Sequence, residues 1–170
     1  MYEKFGQFIN GEWCQSSDKS TYEVINPANE EVIGHASKAT NQDVERALKS
    51  AEKGLQIWKK TPPWQRSYII RRIADKIREK QDILAKWMTL EVGKPLTEAK
   101  GEVNGAADIF EWNAEETKRI YGQTVESRFE DTRVHVYYQP VGVVAALSPC
   151  LLYTSPSPRD RTRSRMPSSA

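Results

Sequence analysis

Over the first forty positions, apolar residues fall at alternate places, in short runs separated by turn residues. Gln7-Phe8-Ile9 and Glu12-Trp13 flank Asn10-Gly11, a pair that favours a two-residue hairpin turn. Thr21-Tyr22-Glu23-Val24-Ile25 alternates and stops at Asn26-Pro27, and Glu31-Val32-Ile33-Gly34-His35-Ala36 offers a partner strand. From Thr40 the period becomes helical. Thr40, with Asp43 three residues on, makes a start of capping-box type, and Val44, Ala47, Leu48, Ala51, Leu55 and Trp58 share one face. Pro62-Pro63 ends that element and opens the next, where Ile69, Ile70, Ile73 and Ile77 form an apolar stripe. Arg66, Arg71, Arg72, Lys76 and Arg78 lie outside that stripe. A third helical stretch carries Leu84, Trp87, Met88 and Val92 and breaks at Gly93-Lys94-Pro95. A fourth, over residues 96–121, aligns Leu96, Ala99, Val103, Ala106, Phe110 and Ala114, with Gly101 and Gly105 spaced for close helix packing.

After Gly122 the period returns to two. Residues 123–127 and 133–139 read as two strands around a charged turn. Val134, Val136 and Tyr138 share one face; Arg133, His135 and Tyr137 share the other. Pro140 closes the unit. Residues 141–147 are β-branched and small, the run expected of a strand covered on both faces of a parallel sheet. The predicted class is therefore α/β: hairpins, four helices and the opening strand of a sheet.

Composition narrows the function classes. Hydrophobic content of 38% and charged content of 28% over 170 residues fit one soluble globular domain. The formal net charge of +2 comes from the end of the chain, where the last twenty residues carry four Arg and one Asp. Without them 21 basic side chains face 22 acidic ones, which leaves no basic excess to suggest nucleic acid. Two cysteines, Cys14 and Cys150, support neither a disulfide framework nor a zinc site. The sequence has no apolar run of membrane length and no signal-peptide core at its start, so a cytoplasmic protein is expected.

The composition also shifts abruptly at Pro149–Cys150. The string from Cys150 to Asp160, CLLYTSPSPRD, resembles a sequencing adapter read in one frame, so residues 150–170 are expected to be a non-native, disordered tail. Its arginines would point to a nucleic-acid binder only in a natural tail.

Met88-Thr89-Leu90-Glu91-Val92-Gly93-Lys94-Pro95-Leu96-Thr97-Glu98-Ala99-Lys100-Gly101-Glu102 resembles the NAD(P)-dependent aldehyde dehydrogenase superfamily. Phe8-Ile9-Asn10-Gly11-Glu12-Trp13, Asn26-Pro27 and Pro140-Val141-Gly142-Val143 recur there in the same order. The stretch from Glu111 to Gly122 is most similar to the succinate-semialdehyde dehydrogenase branch. The resemblance covers residues 5–149, about the first third of a family chain. It implies a Rossmann-like cofactor domain whose N-terminal part is residues 1–122. It further implies an oligomerisation strand arm at 123–140, the first strand of the cofactor sheet at 141–149, and a homo-oligomer.

The family's chemistry is thiolate attack on an aldehyde, hydride transfer to NAD or NADP, and hydrolysis assisted by a glutamate, with an asparagine amide at the oxyanion. Ser148-Pro149 matches the pair that precedes Trp and that asparagine in the family, but Cys150 takes the Trp position and Leu151 the Asn position. No catalytic residue carries over, and the chain by itself is expected to be inactive. Leu147, Ser148 and Pro149 match the strand end lining the adenosine side of the cofactor groove, or else simply finish a core strand. The backbone of Ile25 and the carboxylate of Glu91 match positions that hold a monovalent cation in some relatives; a helix-end salt bridge is the other reading of Glu91. Cys14 has no cationic cluster nearby in sequence and reads as an inert thiol, and His35 and His135 read as surface residues. Two other classes compete with the enzyme reading: a small non-catalytic binding module that pairs through the strand arm, and a basic-tailed nucleic-acid binder.

Overall fold

The computed structural model describes residues 6–147. Asn10 and Gly11 both take positive φ, 56° and 85°, as a two-residue turn that matches the twist of its strands requires. They join β1 (Gln7–Ile9) to β2 (Glu12–Cys14) and set Phe8 opposite Trp13, with ring centroids 5.1 Å apart. A second antiparallel pair follows, β3 (Thr21–Ile25) with β4 (Val32–Ser37), its register shifting between Val24 and Ile25.

Helix α1 (Asn41–Trp58) opens on the expected capping box. Thr40 Oγ1 accepts from Asp43 N at 3.3 Å, and Asp43 Oδ2 accepts from Thr40 N at 2.9 Å. Pro63 begins α2 (Pro63–Glu79), where a missing N–H costs nothing. Helix α3 (Gln81–Val92) ends at Gly93, whose φ of 71° suits a residue without a Cβ. Helix α4 (Leu96–Glu116) runs into a 3₁₀ turn, Thr117–Arg119, where the spacing predicts one helix over residues 96–121. The last hairpin pairs β5 (Gln123–Glu126) with β6 (Arg133–Val136). Among the described residues no helix is long and apolar enough to cross a membrane.

The interior lies where α2 and α3 cross α4, and its residues are small. Ala74, Ala85, Ala99, Val103, Ala107 and Ala114 are buried, with Ile77, Leu84 and Met88 packed around Ala85, Ala99 and Val103. Small side chains let the helix backbones approach closely.

Several predicted faces are corrected by this packing. On α4 the buried row steps by four through Ala99, Val103 and Ala107; Ala106, Leu96 and Phe110 are exposed. Gly101 and Gly105 face open space and mediate no close packing, because the 99–103–107 row turns them away from α2 and α3. On α2, Ser67 and Ala74 are buried while Ile69 and Ile73 are exposed. Arg71 and Arg78, expected outside the core-facing stripe, point at α4. Arg71 Nη1 meets Glu111 at 2.7 Å, and its Nη2 pairs with Glu115; Arg78 Nη2 meets Asp108 at 2.8 Å and Glu111 at 2.6 Å. Ile70 and Ile77 stay half-buried on the same face as Ala74, and Arg71 and Arg78 beside them reach the acidic row of α4. The stripe on α1 is likewise more open than expected, with Val44, Leu48 and Trp58 exposed.

Residues 141–147 form no strand. Val141 is 92% exposed and Leu147 85%, so the buried strand of the sequence reading is not made within the described residues. A strand of a parallel sheet takes its hydrogen bonds and cover from neighbouring strands, and the three sheets among the described residues are separate two-stranded pairs.

Candidate functional site

The proposed cofactor-lining segment leaves the helical body beside α1. Val143 borders a shallow surface depression with Lys49, Glu52, Lys53, Leu55 and Gln56, and the chain then runs to the exposed Leu147. Ser148, Pro149 and the 150–170 tail lie outside the described residues. The described part of this strand end thus contributes Leu147 alone.

The proposed cation positions sit on two segments that the fold brings together. A Cβ on Gly93 would stand 3.1 Å from Pro27 Cγ, so the C-terminal end of α3 packs against the turn after β3. Ile25 and Glu91 each lie two residues before that contact, and both are exposed. Among the described residues no group of three or more His, Cys, Asp or Glu gathers as a metal site. A site of one carboxylate and backbone carbonyl oxygens would be a hard-oxygen environment, suited to a weakly held cation rather than to a transition metal.

The most constrained polar centre is one that the sequence pattern marks only in part. Asp43 is 1% exposed. Besides the Thr40 N–H, it accepts from Thr40 Oγ1 at 2.9 Å, Ser17 N at 3.1 Å and Ser17 Oγ at 2.5 Å. Ser16 Oγ lies 3.2 Å from it and 2.7 Å from Asp18. Hydrogen bonds from Ser17 and then from Thr40 hold the Asp43 carboxyl far below the usual carboxylate range. Asp18, bonded by Ser20 and Ser16, is lowered to about 2. The capping-box signal locates Asp43; nothing local could show that Ser16 and Ser17, a loop away, also belong to it.

Cys14 has a cationic neighbour that its own stretch of sequence does not supply. Its Sγ lies 3.4 Å from the Gln7 carbonyl and accepts from Arg46 Nη2 at 3.1 Å, a cation that the fold supplies from 32 residues downstream. His35 and His135 are exposed, as expected, and His135 Nδ1 lies 3.2 Å from Thr124 Oγ1 on the paired strand. In the motif after α3, Lys94 pairs with Glu102 while only 12% exposed, fixing the turn that leads into α4.

Comparison with known proteins places this arrangement. Residues 13–150 match the aldehyde dehydrogenase family. The chain is 46% identical over 142 residues to glutarate-semialdehyde dehydrogenase of Pseudomonas putida, covering 84% of this chain and 30% of that protein. It is 43% identical over 141 residues to the NADP(+) succinate-semialdehyde dehydrogenase of Escherichia coli, covering 83% and 29%. A crystal structure of an Escherichia coli NADP-dependent enzyme superposes with a TM-score of 0.74 at 39% identity, over 79% of this chain and 28% of that one. Betaine aldehyde dehydrogenase of Staphylococcus aureus in complex with NAD+ superposes with a TM-score of 0.71 at 34% identity, over 76% and 27%. The chain therefore spans under a third of the length of these relatives.

Proposed function

We propose, from the premise that this chain belongs to the aldehyde dehydrogenase family, that it is the N-terminal section of an enzyme oxidising a small semialdehyde to its carboxylic acid with NAD+ or NADP+. The 46% identity to a glutarate-semialdehyde dehydrogenase carries this reading, with the 43% identity to a succinate-semialdehyde dehydrogenase beside it. Those two substrates are ω-oxo acids one methylene apart, so succinate semialdehyde or a close homologue is the expected class.

In this reading the chain is scaffold. The thiolate, the carboxylate base and the oxyanion amide that aldehyde oxidation needs come from other parts of the enzyme, and no residue here is catalytic. A bound nicotinamide cofactor supplies the hydride acceptor. Residues 1–122 belong to the cofactor domain, and 141–149 become its first strand once neighbouring strands pair with them. Leu147, Ser148 and Pro149 line the adenosine side, while the Ile25 carbonyl and Glu91 hold a monovalent cation. Residues 123–140 pair with a second subunit, a role favoured by a hairpin whose strand residues are all exposed. Residues 150–170 are a non-native tail. The enzyme works in the cytoplasm, with neither nucleic acid nor membrane as partner.

A chimera tests the assignment. Residues 7–149 replace the matching segment of the Escherichia coli succinate-semialdehyde dehydrogenase, and aldehyde-dependent NADP+ reduction is measured. Retained turnover, unaffected by Cys14→Ser, supports the reading. Turnover by the 170-residue chain alone, abolished by Cys14→Ser, would overturn it.

A further inference from the structure

We infer that Asn10 is a self-modification site: the β1–β2 turn leaves its side-chain amide exposed next to an accessible Gly11 backbone nitrogen, so the residue converts spontaneously to aspartyl and isoaspartyl forms. The chain contains two Asn-Gly pairs, Asn10-Gly11 and Asn104-Gly105, and the fold treats them in opposite ways. Asn10 is exposed at the tip of the turn, and its amide has no hydrogen-bond partner among the described residues. The Gly11 N–H, between the two strands of the hairpin, donates to no acceptor among the described residues. Nothing lies within 4 Å of where a Gly11 Cβ would stand, so approach to that nitrogen is open. Gly105 sits inside α4, where its nitrogen is committed to the helical ladder.

The chemistry needs only water. The deprotonated Gly11 nitrogen attacks Asn10 Cγ; the new C–N bond forms as the C–NH2 bond breaks, and ammonia leaves with the transferred proton. The resulting five-membered imide is opened by water at either carbonyl. One opening gives Asp and the other a β-linked isoaspartyl residue. No electrons are transferred, and the net exchange is ammonia out and water in. The β-linkage adds one backbone atom to a two-residue turn, which can then no longer hold Phe8 opposite Trp13.

The full chain is incubated at mildly alkaline pH and sampled by tryptic mass spectrometry, following the peptides of residues 5–19 and 101–118. The first should gain about one dalton at Asn10 and split into two chromatographic forms. It should do so at least about tenfold faster than the second, because Asn104 reacts only after α4 opens. In concentrated urea the two pairs should convert at similar rates, and Asn10→Gly, which keeps the positive φ, should abolish the gain in the first peptide. An unconverted Asn10, equal rates in the folded chain, or an Asn104 that stays slow in urea would each overturn the inference.

Discussion

Hairpins β1–β2 and β5–β6 are both antiparallel pairs of three or four residues per strand, yet among the described residues polar side chains fasten only the first to the other elements. Around β1–β2, Gln7 Nε2 donates to Ser37 Oγ at 3.3 Å, Arg46 reaches Cys14, and the loop after β2 closes on Asp43. In β5–β6 the side-chain bonds are internal: Thr124 meets His135, and Arg133 meets Glu126 at 3.4 Å. Val125, Val134 and Val136 are left in solvent. Alternation alone therefore yields a hairpin, whereas docking requires donors and acceptors placed far away in sequence. The helical body shows the same contrast from the other side, since its interior is closed by the fit of small residues and by arginines clamped to α4.

The sharpest way to test this division is to make one chemical change in both places. Ala107→Asp buries an unpaired carboxylate between helices and should lower the unfolding free energy by about 3–5 kcal/mol. Val134→Asp, on the exposed hairpin, should move it by less than about 0.5 kcal/mol. Urea unfolding of the two variants measures the difference, and equal losses would erase the distinction. A smaller effect comes from cutting the fastening itself. Asp43→Ala should lower Tm by roughly 5 °C, with amide exchange accelerating in residues 16–20 and at the start of α1 while β5–β6 exchanges unchanged. Smallest is the acid response. Because Asp43 and Asp18 titrate lower when folded, their contribution is complete above the unfolded value of about 3.8. It declines progressively once pH falls below that value and is lost at the folded values, so the Asp18 share should be gone by about pH 2, where the Asp43 share is only partly lost. Urea midpoints taken between pH 6 and pH 2 should fall less steeply in Asp43→Asn than in the parent, and parallel profiles would refute the link.

Much of this architecture is legible because its signals are local. Asn10-Gly11 announces a turn, Thr40 with Asp43 a helix start, and Gly93-Lys94-Pro95 a helix end; each sits where those residues alone require. Faces are harder to read. Of the four isoleucines on α2 only Ile70 and Ile77 turn inward, sharing a face with Ser67, Ala74 and the arginines that meet Glu111 and Glu115, while Ile69 and Ile73 stay exposed. The strand expected over 141–147 shows a different limit, since a buried run is only a request for neighbours. Ser16 and Ser17 join Asp43 across a chain separation that no periodicity spans. Leu147, Ser148, Pro149, Ile25 and Glu91 never stood on pattern at all; they rest on resemblance to relatives.

The alanines between α2, α3 and α4 have a consequence for how this chain tolerates change over generations. A position already occupied by alanine has almost nothing to lose by truncation: only glycine is smaller, and it costs about 1 kcal/mol in helix propensity. Any larger residue must displace neighbours that are already packed, at about 1–3 kcal/mol for each overfilled site. Drift at Ala74, Ala85, Ala99, Ala107 and Ala114 therefore has a ceiling on volume and hardly any floor. Relatives that keep this helix spacing should stay confined to the smallest residues where the helices touch.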